Sequence, residues 1–245
     1  MSSFSVRVSL AACAVVLATS SACSVAGTDF QPGVAARVGD QTVTSNEVDR
    51  LTVAACGAFG PQLEAQNQVV ALRQIKATVV QDLTLESAVR QLGEEYGVEP
   101  GETYLSEVSS AGGGDDLSDD EREAVVVVSS TTTLVTDVLG QIGAQLTAGG
   151  AGEDVAGAPA AATPEAVQRG GAELTRWLQD NDVEVDPQYG IDISDTGAVE
   201  VDTSLAFGVS DVAKAAGAEQ PDPATTMALP QTQRCGSYTA GGGQG

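Results

Sequence analysis

Residues 35–51, AARVGDQTVTSNEVDRL, decide how this chain is read. Val38 and Val43 stand either side of Gly39-Asp40, a two-residue turn able to take positive φ, so the segment opens as a tight β-hairpin. Thr44 then starts a capping box with Glu47, in which each side chain meets a backbone N–H that the first helical turn leaves orphaned. Val48, Leu51 and Ala55 follow at helical spacing and mark a face that must be covered. A hairpin running straight into a capped helix predicts an α+β fold, and the segments that follow make it mainly helical.

Composition narrows the function before any motif does. Apolar residues make up 42% of the 245, but they are mostly Ala and Val, and aromatics are only 4%. Such a core must come from small side chains in closely approaching helices. A formal charge of −23 leaves no basic patch to displace phosphate counterions, which excludes nucleic acid as a partner. It also keeps the folded part soluble and away from anionic lipid heads. The absence of histidine removes Ser-His-Asp and Cys-His catalysis and most zinc sites. No cofactor is expected.

Residues 1–22 read as a bacterial export signal: Arg7, an apolar run VSLAACAVVLAT, then small residues. The run is too short and too rich in Ser, Thr and Ala for a transmembrane span. Ser21-Ala22-Cys23 resembles a lipobox, with Ser20 in place of the usual leucine. Cys23 is therefore the expected lipidation site and mature N-terminus, with plain secretion as the alternative. Leu10-Ala11-Ala12-Cys13 fits the box in letters but leaves almost no hydrophobic stretch before it. Residues 23–33 are a tether.

The helical domain spans 34–146. A break is expected at 57–61, then a helix over 63–96 with Leu72, Ile75, Val79, Leu83, Val89 and Leu92 on its stripe. Gly97 and Pro100 stop it. A short helix over 103–109 carries Tyr104, Leu105 and Val108. Ser118 and Glu121 form a second capping box ahead of a helix over 119–146. Val125 to Thr133 also has strand propensity, but Val128, Thr132, Val135, Leu139, Ile142 and Leu146 keep a helical period. Residues 147–162 are Gly/Ala-rich and read as a flexible linker. Thr163-Pro164 restarts a helix with a buried stripe of Val167, Gly171, Leu174 and Leu178, and Trp177 beside it. From Asp180 the period changes to two, so 163–204 is a closing helix followed by short strands. A late turn of helix is possible at 210–216. Residues 205–245 are a largely irregular tail, pinned only where Cys235 holds it.

The opening AARVGDQTVT with its capped helix resembles SurA-type extracytoplasmic chaperones and PrsA-type foldases. ELTRWLQDNDVEVDPQYG resembles their closing helix, which packs back on the N-terminal domain and ends in a short strand. Together with LPQTQRCG these stretches are similar to SurA N-terminal-domain lipoproteins of actinobacteria, although Gln188 and Ile191 stand where Arg and Trp are usual. The resemblance implies a SurA/PrsA N-terminal-domain-like helical core with a short N-terminal hairpin and short C-terminal strands. In full-length relatives a parvulin-type prolyl isomerase domain lies before the closing helix. Here that place holds only 147–162, tens of residues too few, so no enzymatic activity is expected. The resemblance implies a membrane-anchored chaperone-like protein that binds unfolded or exported polypeptides through an apolar cradle. The alternative is an envelope adaptor or structural lipoprotein that holds one protein partner.

Other candidate sites reduce to simpler readings. Asp180, Asp182, Glu184 and Asp186 invite a calcium loop, but an EF-hand counted from Asp180 needs glycine and glutamate where Val185 and Ile191 stand. Alternation with Val183 and Val185 makes a half-buried strand instead. The acidic cluster over 115–123 suits loop solubility and the helix dipole. Ser210 and Lys214 lie one turn apart, but nothing around them supplies an oxyanion hole, so no nucleophilic site is read there. With Cys13 removed and Cys23 acylated, Cys56 and Cys235 are the remaining thiols in an oxidising compartment. They are expected to form a disulfide, two independent buried cysteines being the alternative.

Overall fold

The computed structural model describes residues 32–113, 116–149, 163–194 and 222–239, and the backbone of 199–201. All belong to one unit, Gln31–Gly245. Its middle is the helix here called α4, Asp119–Ala148, which packs against every other long helix. Ser118 accepts from the Glu121 N–H at 3.3 Å, and the Glu121 carboxylate accepts from the Ser118 N–H at 2.8 Å. Asp119, Asp120 and Glu121 face the positive end of the helix dipole. Val125 to Thr133 is helical despite its strand propensity, because Val127, Ser130, Thr131 and Leu134 are all buried on one helical stripe. Thr131 donates its hydroxyl back to the Val127 carbonyl at 2.7 Å, so the buried oxygen is satisfied within the helix.

The other long helices among the described residues are α1 (Ser45–Ala65), α2 (Leu72–Tyr96), α3 (Glu102–Ala111) and α5 (Pro164–Asp180). Thr44 caps α1 by accepting from the Glu47 N–H at 3.2 Å; the return bond from Glu47 is not formed. α2 ends in a Schellman motif, with Gly97 at φ 64 and the Val98 N–H on the Gly93 carbonyl at 2.8 Å. Asp137 of α4 accepts from the Gly101 N–H at 2.6 Å and so fixes the start of α3. Thr163 caps α5 with Pro164 at its first position.

Two boundaries differ from the sequence reading. The expected break at 57–61 is absent, and α1 runs through Pro61 to Ala65. Proline removes one intrahelical donor, and the Gly57 turn whose carbonyl loses it is exposed, so water replaces the bond. The expected helix over 63–96 is divided by a turn and a strand, β3 (Val69–Ala71), and α2 begins only at Leu72.

The strands form three small sheets. β1 (Val34–Val38) lies between β2 (Gln41–Thr44) and β4 (Val183–Val185), antiparallel to both. Val38 faces Gln41 across the hairpin, and only Gly39 of the turn pair takes positive φ, at 57°. β5 (Ile191–Ile193) pairs with β6 (Val199–Val201), and β3 pairs with β7 (Arg234–Gly236). The pairing of β1 with β4 brings the two ends of the helical region together. The Gly39 N–H donates to the Asp182 carbonyl at 3.0 Å, Gln91 donates to the Val38 carbonyl at 2.8 Å, and Trp177 donates to Glu95 at 2.8 Å.

Burial falls into two clusters. One gathers Val48, Leu51, Val79 and Val80 with Val185 and Ile191. The other gathers Leu92, Leu134, Ile142, Leu174, Trp177 and Leu178. On α5 the close-approach glycine is Gly170, not Gly171 as the period suggested. A Cβ at Gly170 would lie 2.0 Å from the Leu139 carbonyl oxygen, and one at Gly143 would lie 1.9 Å from that of Ala166. The two helices therefore touch backbone to backbone. Gly170→Ala is expected to cost about 2–3 kcal/mol, because the obstacle is main chain and cannot move aside as a side chain can. Urea unfolding with the disulfide intact measures it, with Gly171→Ala, where a Cβ meets nothing within 4 Å, as the neutral control.

Candidate functional site

Cys56 and Cys235 lie at disulfide distance with their α-carbons 5.6 Å apart, across a sequence separation of 179. Around them the tail is more ordered than the sequence suggested. Residues 222–239 form a short helix, α6 (Pro223–Met227), a 3-10 turn (Gln231–Gln233) and β7. Asp222 caps α6 by accepting from the Ala224 N–H at 2.7 Å.

The trough that receives this strap is built by the end of α1. Asn67, at φ 54, takes the left-handed position after the helix. The Gln68 N–H reaches back to the Leu63 carbonyl at 2.8 Å and the Asn67 N–H to that of Glu64 at 3.0 Å, which closes a Schellman motif. The chain then turns into β3, whose Val69, Val70 and Ala71 face Gly236, Cys235 and Arg234 of β7. The Asn67 side chain makes a two-point clamp on the strap backbone, donating to the Thr239 carbonyl at 3.0 Å and accepting from the Thr239 N–H at 2.7 Å. Gly236 has φ +77, and a Cβ there would lie 2.5 Å from the Gln68 carbonyl oxygen. Only glycine fits that position.

Beside the sulfurs is an open depression of about 440 Å³ lined by Cys56, Gly60, Glu64, Met227, Arg234 and Cys235. The Arg234 guanidinium donates to the Met227 sulfur, while its Nε is buried without a hydrogen-bond partner. Cys235 is 1% exposed, so access to the bond is from the Cys56 side.

Sequence reasoning singled out the cysteines but missed Asn67, β3 and Gly236. An Asn in the left-handed position is legible only once the end of α1 is known, and that end was hidden inside an apparently continuous helix. Cys23, Ser210 and Lys214 lie outside the described residues, as do 150–162 of the expected linker, 202–221 and the very end of the tail. Of the acidic series over 180–186, Asp180 ends α5, Glu184 is exposed on β4 beside the buried Val185, and Asp186 caps the following turn by accepting from the Gln188 N–H at 2.9 Å. In the other acidic cluster Asp120 and Glu123 hold Arg50 of α1 at 2.6–2.8 Å. Among the described residues no group of three or more His, Cys, Asp or Glu is placed to hold a metal ion.

The most perturbed carboxyl is Asp82 on α2, pushed up to about 7 by burial and then by Glu86 one turn on. The unfolded chain ionises Asp82 near pH 4. Between pH 4 and 7 the folded state therefore binds more protons, and stability from this group falls as pH rises through that window. Asp82→Asn is expected to leave the urea midpoint unchanged at pH 4. At pH 8 it is expected to stabilise by about 1–2 kcal/mol, allowing for the solvent that still reaches the group.

No family model, curated protein or solved structure matches the chain.

Proposed function

We propose that this chain is a lipid-anchored extracytoplasmic protein that binds polypeptide, built on a SurA-type N-terminal module without an isomerase domain. One observation carries the proposal. The two stretches that resemble the SurA/PrsA family, 35–51 and 173–190, are packed into one element, with Val38 opposite Val183 and the Asp186 N–H on the Ala35 carbonyl at 2.8 Å. The resemblance implies a closing helix that packs back on the N-terminal domain and ends in a short strand, and this packing supports the reading.

The form of binding is favoured by a second observation. Among the described residues Val53, at 66% exposed, and Leu105, at 56%, are the only large apolar side chains left open. The helical faces are otherwise spent on each other, so the wide apolar cradle expected for unfolded clients is not offered by these residues. This favours the adaptor form, in which one envelope protein is held, over a promiscuous chaperone. The apolar length of α4 does not argue for a membrane span, since four other helices cover it.

Three measurements test the binding reading. Cross-linking in intact cells is expected to capture one predominant envelope protein. Broad capture, together with suppressed aggregation of several unrelated unfolded reporters, would restore the chaperone form. In either form a proline-limited refolding rate should be unchanged by the protein. Anchoring is tested separately: Cys23→Ala is expected to release the protein into the medium or block its processing, because it removes acyl chains whose pairing makes attachment stable. Unchanged partition of that variant into a detergent phase rules the anchor out.

A further inference from the structure

The strap 222–239 lies on the module in an unusual way. Neither of the two apolar clusters contains any of its residues; its buried side chains, Cys235 and Thr226, lie outside both. What holds it is the kind of contact that recognises any extended chain. β3 offers a three-residue ladder to β7, and Asn67 pairs with both backbone groups of Thr239. Side-chain selection within β7 comes from Gly236, pressed against the Gln68 carbonyl, and from Cys235, fixed by its bond to Cys56.

We propose that the trough between the end of α1 and β3 is a docking site for an extended polypeptide segment, occupied here by the chain's own C-terminal strap, and that the Cys56–Cys235 bond locks this occupant in place. Strand addition gives affinity through main-chain hydrogen bonds that any extended segment can supply, and pockets for alternate residues give selectivity. The trough takes a segment with glycine at the position facing Gln68. A tethered occupant competes at an effective concentration in the millimolar range, so the site is closed to other chains while the strap is seated. The inference rests on the reading of the chain as a polypeptide binder and supplies it with a site and a gate.

Opening requires a dithiol reductant. One of its thiolates attacks a sulfur of the bond through the depression on the Cys56 side, giving a mixed disulfide and one free protein thiolate. Its second thiolate resolves that intermediate and the reductant leaves as a disulfide. The S–S bond breaks, and two electrons and two protons from the dithiol end on Cys56 and Cys235 as the reductant's own S–S bond forms. The strap is then retained by its ladder, its clamp, the burial of Thr226 and Cys235 and its packing against α1 and α2.

The test uses the full chain. Cys56→Ser and Cys235→Ser remove the lock, and Gly236→Val in the same chain drives the strap out, since its Cβ would meet the Gln68 carbonyl. The probe is a fluorescent peptide of residues 229–239 carrying Cys235→Ser. By anisotropy it is expected to bind this triple variant at least ten-fold more tightly than it binds the oxidised parent. Adding Asn67→Ala should weaken binding about ten-fold, and a peptide carrying Gly236→Val should not bind. Hydrogen exchange of the parent with and without dithiothreitol covers the case of a poorly folded variant. The amides of β7 should lose at least ten-fold in protection while those of α2 and α4 stay within two-fold. Joint loss of protection in β7, α2 and α4 makes the strap a staple of the fold and overturns the proposal. So does a triple variant that ignores the peptide. If the oxidised parent still captures its envelope partner in that event, the trough alone is lost and the polypeptide-binding reading stands.

Discussion

The contact on which the rest depends is the backbone-to-backbone crossing of α4 and α5 at Gly143 and Gly170. Each glycine faces a carbonyl of the other helix, so neither position tolerates a Cβ. This proximity sets where the rest of α5 lies. It carries Leu174, Trp177 and Leu178 into the second apolar cluster and delivers the chain to β4. β4 then has β1 as its neighbour, and the first and last elements of the helical region become one sheet. Polar links finish the arrangement on both sides of Gly39: Trp177 to Glu95, Gln91 to Val38, and Tyr96 to Glu173 at 2.7 Å. Burial and the Glu173 carboxylate together push the Tyr96 phenol up, which keeps it the donor in that bond.

A core this poor in aromatics holds by closeness rather than by bulk. Its fully buried members are mainly Ala, Val and Leu, and the buried threonines are satisfied inside their own helices, with Thr52 donating to Val48 and Thr84 to Val80 at 2.6 Å, whereas the Ser130 hydroxyl is buried without a partner. Small side chains bury little area each, so stability comes from packing density and from the number of contacts made per side chain. The same economy leaves few large apolar groups over for the surface. A net charge of −23 then covers the exterior, with scarce cations placed at helix junctions, as Arg50 is between α1 and α4 and Lys76 is against Asp49 of α1.

How much of this was legible depended on whether the cause was local. The starts of α4 and α5 followed from their capping residues, because those signals lie within a turn of what they specify; α3, expected over 103–109, runs Glu102–Ala111 from Gly101, which makes no side-chain cap. The helical state of Val125 to Thr133 also followed, since a sustained period outweighs strand propensity when one stripe is buried. The end of α1 was hidden for two reasons. Proline in an exposed turn costs the helix one water-replaceable bond and did not break it, and Val69 to Ala71 runs without punctuation into α2. Nothing near those three residues says strand; their partner, β7, lies more than a hundred positions away. Of the candidate site, the cysteines could be paired by elimination, whereas the roles of Asn67 and Gly236 exist only once that pairing has placed the strap.

The molecule therefore carries two tiers of structure with different physical bases. The helical tier is cooperative, because each buried residue serves several helices, and α4 cannot loosen without exposing both clusters. The strap tier is a short ribbon whose residues enter neither cluster, and whose cost of opening is that of a three-pair ladder, a side-chain clamp, two buried side chains (Thr226 and Cys235) and one covalent bond. Short ribbons are marginal on their own in water, so the covalent bond is what makes the second tier persistent. Elements drawn from the low-stability end of a structure are the ones able to move while the rest stays folded. Where the apolar faces of the described helices are closed, the part that can exchange is the part held by backbone recognition and a reversible bond, and here both meet at the end of α1.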